Sequence, residues 1–135
     1  MARQSSQRHQ QLDLVYNVED VLHRLAFIRH KKQEYLISFS LDSAGQIIKR
    51  RVVTIGLLNQ SLAHPREVFS GPLADRAAGV IIAHNHPSGI VEPSAEDIKT
   101  TQQLVSAGIL LGIPLCDHLI ITKVTHLSFR KRSLI

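Results

Sequence analysis

The residues best equipped for chemistry are His84 and His86, in the run His84-Asn85-His86-Pro87-Ser88-Gly89, and Asp97 a little further along the chain. Gly79 to Ala83 (Gly-Val-Ile-Ile-Ala) is a short apolar run of the kind that forms a strand buried on both faces, so the histidines fall at its end. Strand side chains alternate with a period of two, which puts His84 and His86 on one face and Asn85 on the other. Pro87-Ser88-Gly89 breaks the strand. Pro93 to Asp97 then reads as a helix start, with Ser94 at N-cap and Asp97 at N3. The positive end of a helix dipole holds a carboxylate ionised, which suits a metal ligand. Three protein ligands with a fourth position left for water is the pattern of a catalytic zinc site, Zn2+ being held by His84, His86 and Asp97. Each group also has an ordinary role: strand-end histidines are often hydrogen-bonded surface residues, and Ser94 with Asp97 makes a capping box worth about 1 kcal/mol. It is the joint spacing that points to a metal.

The elements that must position these groups can be read in order. Asn17 caps a helix with Asp20 at N3, and Val18, Val21, Leu22, Leu25 and Ile28 form its packing stripe. Glu34 to Leu41 reads as a strand with Tyr35, Ile37, Phe39 and Leu41 on one face. Asp42 to Gly45 is a turn, and Gln46 to Ile55 is the antiparallel partner. Pro65 to Ala78 is expected to be a helix with Pro65 at N1, kinked or split at Gly71-Pro72. A third helix runs from Ser94 to about Leu111, stopped by Gly112 and Pro114. Asp117 to Thr122 is a strand, and Leu127 to Arg130 adds a short one. Strands interleaved with helices after an early hairpin predict an α/β domain with a mixed sheet between helical layers.

The run H-x-H, seven residues, Ser, two residues, Asp resembles the metal-binding motif of the JAMM (Jab/MPN) metalloproteases. The fuller string His84 to Gly89, Pro93-Ser94, Asp97 and Asp117-His118-Leu119-Ile120 is similar to the RadC branch of that superfamily. His64 to Val68 and Ser128-Phe129 fit the same branch, so the resemblance covers roughly Glu34 to the C-terminus. It implies a JAMM/MPN-like three-layer αβα fold and a zinc-dependent hydrolase of amide bonds, a metallopeptidase or isopeptidase with a peptide or protein substrate. In such enzymes a glutamate on a strand upstream of the histidines takes a proton from the metal-bound water and delivers it to the leaving amine. Glu34 occupies the matching place. Glu67 is the alternative, although a first-turn glutamate is favoured by the helix dipole in any case. Ser94 matches the serine that donates a hydrogen bond to the oxyanion.

Some JAMM relatives have lost the ligands and serve as scaffolds, but every motif position is retained here. His118 has three readings: a fourth ligand, a partner that orients a ligand, or a structural residue; a fourth ligand would close the open position. Cys116 and His118 share a face if their strand alternates regularly, which also raises a thiol nucleophile, with no acidic residue evident to orient the histidine.

The 135 residues are enough for one domain with its own core, and 44% are hydrophobic. Met1 to Gln11, with six Gln or Ser, is expected to be a disordered tail ahead of a domain spanning residues 12–135. One cysteine excludes an internal disulfide and fits a reducing compartment. With no apolar run of signal-peptide or membrane-spanning type, we expect a cytoplasmic protein without membrane contact.

The net charge of +5 and pI near 9.8 are concentrated in Arg3, Arg8, Arg24, Arg29, Lys31 and Lys32 and in Lys123, Arg130, Lys131 and Arg132. These basic ends are either solvated faces or contacts to phosphate, and with aromatics at only 4% the nucleic-acid case rests on charge alone. A DNA-repair factor or metal-dependent nuclease, the role attached to the RadC name, is therefore the second expectation. RadC-like proteins often carry a helical DNA-binding segment before this domain, for which the residues ahead of Glu34 are too few.

Overall fold

A computed structural model describes residues 14–56 and 63–135. The expected tail lies outside the described residues. Helix α1 (Val18–His23) is followed by a single 3-10 turn (Ala26–Ile28), and the hairpin strands are β1 (Tyr35–Leu41) and β2 (Ile47–Ile55). Helix α2 (Pro65–Ala74), strand β3 (Gly79–Asn85), helix α3 (Ala95–Leu111), strand β4 (Leu115–Ile121) and strand β5 (His126–Ser128) complete the order. The five strands form one sheet in the order β2-β1-β3-β4-β5. All neighbours are antiparallel except β3 and β4, which are parallel and joined by α3. A parallel pair needs such a crossover, and the βα turn it creates at the end of β3 is where ligands gather in α/β sheets.

Both faces of the sheet are covered. On one, Val21 and Leu22 of α1 and Leu25 and Ile28 after it pack on Ile37, Phe39, Leu41, Ile81, Ala83, Leu119 and Ile121. The stripe expected of one continuous helix is thus split between α1 and the 3-10 turn, yet it faces the sheet throughout. On the other face, Val68 and Phe69 of α2 and Leu104 of α3 pack on Leu36, Val80, Ile82 and Leu115. This is the three-layer α/β arrangement with a mixed sheet. Among the described residues no helix is long and apolar enough to cross a membrane.

Three expectations need correction. Helix α2 is not split at Gly71-Pro72: it runs through Pro72 and ends soon after, at Ala74. Pro72 forfeits one backbone bond, and the Asp75 N–H still reaches the Gly71 carbonyl at 2.9 Å. Gly71 is there for another reason: a Cβ would sit 2.5 Å from the Arg51 guanidinium, which passes over it to form a two-pronged bond with Asp75 at 2.6 and 2.7 Å. Strand β4 starts at Leu115, two residues before the expected Asp117, and carries an irregularity there, Val80 pairing with Leu115 but Ile81 with Asp117. The extra residue is Cys116, so regular alternation fails and Cys116 and His118 do not share a face. Cys116 belongs to the α1-side core, where burial pushes its thiol up to about 11, and it is no nucleophile for His118.

Candidate metal centre

Strand β3 is buried along its whole length, and its alternate residues Val80, Ile82 and His84 face the α2 and α3 layer. His84 is fully buried between Leu36 of β1 and Ile120 of β4. His86 follows the last residue of β3, held by its N–H to the Ile121 carbonyl at 2.9 Å. The chain then reverses through a turn closed by Gly89 N–H to His86 O at 3.0 Å, with Gly89 at φ 84, a left-handed conformation that favours glycine.

Ser94 and Asp97 form the expected capping box. The Asp97 N–H reaches Ser94 Oγ at 3.0 Å and the Ser94 N–H reaches Asp97 Oδ2 at 2.9 Å. The cap aims the carboxylate back over the end of β3. The distances are 2.8 Å between the two Nε2 atoms of His84 and His86, 3.6 Å from His84 Nε2 to Asp97 Oδ1, and 3.3 Å from His86 Nε2 to Asp97 Oδ2. Donors around a tetrahedral ion with bonds of about 2.0–2.1 Å lie about 3.3 Å apart, and the separations here, taken to two different Asp97 oxygens, run from 2.8 to 3.6 Å around that spacing.

Proton bookkeeping gives the same result. His86 Nδ1 lies 2.7 Å from the Ile90 carbonyl oxygen, which can only accept, so Nδ1 carries the proton and the neutral ring's Nε2 is bare. A bare imidazole nitrogen and a carboxylate at such range require a cation between them, whether a proton or a metal ion. The electrostatics agree. Burial works against the Asp97 charge, but the closeness of the His84 and His86 rings holds its carboxyl well below the usual carboxylate range. Burial likewise disfavours a charged His86, yet Asp97, the Ile90 carbonyl and Glu34 raise its pKa above the ordinary value.

Glu34 precedes β1 and is brought to the same spot: one donor atom each from Glu34, His84 and His86 lie within 4.8 Å of one another. Its backbone is pinned by Asn85, which points away from the histidines as its position in the strand requires. Asn85 Oδ1 accepts the Tyr35 N–H at 2.7 Å and Nδ2 donates to the Gln33 carbonyl at 2.9 Å, one bond on each side of Glu34. Glu67 lies elsewhere, exposed in the first turn of α2, along a groove with Ser38, Arg51 and Arg66. Ser94 is exposed, and its Oγ accepts from Asp97 without donating to any described residue, which leaves its proton available.

His118 is fully buried and stands behind His84, on the side of the ring away from the donor triangle. Its Nε2 is 2.7 Å from His84 Nδ1, and its Nδ1 is 2.7 Å from Thr101 Oγ1. It is therefore placed as a partner of His84. Burial, and then the nearby His84, push its pKa well below the ordinary histidine value. Its ring stacks on Phe129 at 4.4 Å, and the neighbouring Asp117 ties down that segment by accepting from the Ser128 hydroxyl at 2.6 Å and the Arg130 N–H at 3.0 Å. Thr101, Asn85 and Phe129 are the contributors that spacing alone does not single out.

A mixed sheet covered on both faces, with two histidines at the end of β3 and an aspartate in the first turn of α3, defines a JAB/MPN-type α/β domain. The chain belongs to the RadC-like JAB domain family, whose model matches residues 15–134. Among its relatives is a UPF0758 protein of Methanospirillum hungatei, 54% identical over 100 residues that make up 74% of this chain and 44% of that protein. A second, of Methanococcoides burtonii, is 43% identical over 116 residues, 84% of this chain and 51% of the relative. A third, of Protochlamydia amoebophila, is 40% identical over 130 residues, 93% and 56% respectively. The chain thus spans about half the length of these relatives.

Proposed function

We propose that this domain is a zinc-dependent hydrolase of amide bonds, acting on a peptide or isopeptide link. The observation that carries the reading is the convergence of His84 Nε2, His86 Nε2 and the Asp97 carboxylate on one point, with Glu34 beside them. These three residues would hold the ion. A zinc ion bound there lowers the pKa of its water to about 7 and polarises a carbonyl.

The protein's own groups do the rest. Glu34 is near enough to accept a proton from the attacking water and, once protonated, to return it to the leaving amine. The Ser94 hydroxyl, whose lone pair serves as the helix cap, donates a hydrogen bond to the developing oxyanion. Asp97 stays ionised throughout. His118 and the walls of the sheet keep water from the inner side of His84.

Glu34→Gln should keep the metal and reduce amide hydrolysis by roughly a hundred- to ten-thousandfold, whereas His84→Ala loses metal and turnover together. Full metal content in His84→Ala, or undiminished turnover in Glu34→Gln, would count against the assignment. The nucleic-acid reading draws less support, because several cations are already engaged. Arg132 meets Glu92 at 3.1 Å, Arg24 meets Asp20 at 3.2 Å, and Arg29 donates to the Thr122 carbonyl at 2.6 Å. DNA binding that weakens steeply with salt, together with metal-dependent cleavage, would reverse that preference.

A further inference from the structure

We infer that Thr101 and His118 form a proton-ordering relay that sets the tautomer of His84, leaving its Nε2 bare for a metal. The relay rests on the metal-site reading above, but its geometry can be followed without an ion. It starts at a group with no freedom: the Asp97 backbone carbonyl can only accept. Thr101 Oγ1 lies 2.6 Å from that oxygen, one helical turn along α3, so the hydroxyl proton must point at it.

A hydroxyl has one proton. Having spent it on Asp97, Thr101 Oγ1 can only accept from its other near neighbour, His118 Nδ1, at 2.7 Å. His118 Nδ1 is therefore the protonated nitrogen, and the neutral ring's Nε2 is an acceptor. That Nε2 is 2.7 Å from His84 Nδ1, which must then be the donor. His84 consequently carries its proton on Nδ1, and Nε2, the atom facing His86 and Asp97, is a lone pair.

The opposite tautomer is penalised where the relay starts. If His84 carried its proton on Nε2, His118 would need its own on Nε2, and Thr101 would face two acceptors with one proton, deep in a core where no water can compensate. The relay also joins two ligands through the protein: it begins on the backbone of Asp97 and ends on the ring of His84. Burial explains why it holds, since Thr101 is 1% exposed and His84 and His118 are both 0% exposed. His86 reaches the same tautomer by a simpler route, through Ile90. Thr101 and His118 are thus positioning residues, and a partner hydrogen bond of this kind is worth roughly ten- to a hundredfold in metal affinity.

The test uses the purified, folded chain before and after zinc is added. Long-range 1H–15N spectra of the imidazoles report which nitrogen bears the proton. The expected result is Nδ1–H for both His84 and His118. Thr101→Val, which keeps the shape and removes the hydroxyl, should give mixed tautomers and zinc binding roughly ten- to a hundredfold weaker. Thr101→Ser should restore both. A bare Nδ1 on His84 or His118 in the wild type, or unchanged tautomers and zinc affinity in a folded Thr101→Val, would overturn the relay. If Thr101→Val does not fold, the wild-type spectrum still decides. The two readings fail separately: zinc binding with the other tautomer removes the relay and leaves the metal site. No zinc binding with the expected tautomer removes the hydrolase reading and leaves the relay.

Discussion

Ser94 shows how one small side chain serves two purposes at the site. Its oxygen accepts the Asp97 N–H and so fixes the first turn of α3, while its proton remains for a substrate oxygen. Substitution can separate these roles. Ser94→Ala should cost about 1 kcal/mol in stability through the lost cap, whereas Ser94→Gly costs only a few tenths. Both should lower amide-hydrolysis kcat to a similar extent if the hydroxyl stabilises the oxyanion. Denaturant melts beside steady-state rates would show it, and kcat tracking the stability loss instead would indicate that the hydroxyl matters only as a cap. The three metal-binding candidates were legible at this scale because each lies next to a punctuated element end. His118 was not. Its role depends on which residue of β4 is displaced by the irregularity at Cys116, and no periodicity announces that displacement.

At the scale of elements, two devices hold the site's surroundings. The first is Asn85, which ties the segment carrying Glu34 to the end of β3. Asn85→Ala removes both of these part-buried bonds and should cost about 1–2 kcal/mol. In a preparation kept folded at low temperature it should reduce turnover more than metal content, because it loosens Glu34 and leaves the histidines in place. Equal loss of both would show that Asn85 supports the strand end as a whole.

The second device is the Arg51–Asp75 pair, which joins β2 to the end of α2. The Arg51 bond, helped by Ser40, lowers the Asp75 pKa to about 2. A carboxyl depressed in the folded state contributes stability that is fully present above its unfolded pKa of about 3.9 and is lost as pH falls through about 2. We expect Asp75→Asn to cost about 1–2 kcal/mol at neutral pH, given the pair's partial exposure, and the cost to vanish near pH 2. Unfolding free energies across that range would read it directly, and a cost independent of pH would point to packing. Helix α3 was legible at both ends, from Ser94 and from Gly112, which adopts φ 73 as the C-cap. The expected break in α2 failed: Pro72 gives up its own bond to the preceding turn, but the helix continues through it and its last turn is still closed by Asp75 N–H to the Gly71 carbonyl.

Across the whole molecule, the sheet brings together groups from four separate stretches of chain. Glu34 precedes β1, the histidines end β3, Asp97 and Thr101 open α3, and His118 lies within β4. The parallel β3–α3–β4 unit accounts for most of this, since it sets the end of one strand against the start of the helix that follows. The apolar run before His84 and the cap at Ser94 made that unit readable, and with it the α/β class. Glu34 was reached only through the family resemblance, because one glutamate before a strand carries no signal of its own. Its approach to the histidines comes from the β1–β3 pairing, with Leu36 opposite His84, a long-range register that the local pattern does not encode.

Metal stoichiometry of the purified chain, measured by elemental analysis beside His86→Ala and Asp97→Ala, tests the central claim most directly. We expect close to one zinc per wild-type chain and almost none in either variant, with both variants still folded by circular dichroism. A wild-type chain free of metal after exposure to excess zinc, or variants that retain it undiminished, would contradict the account.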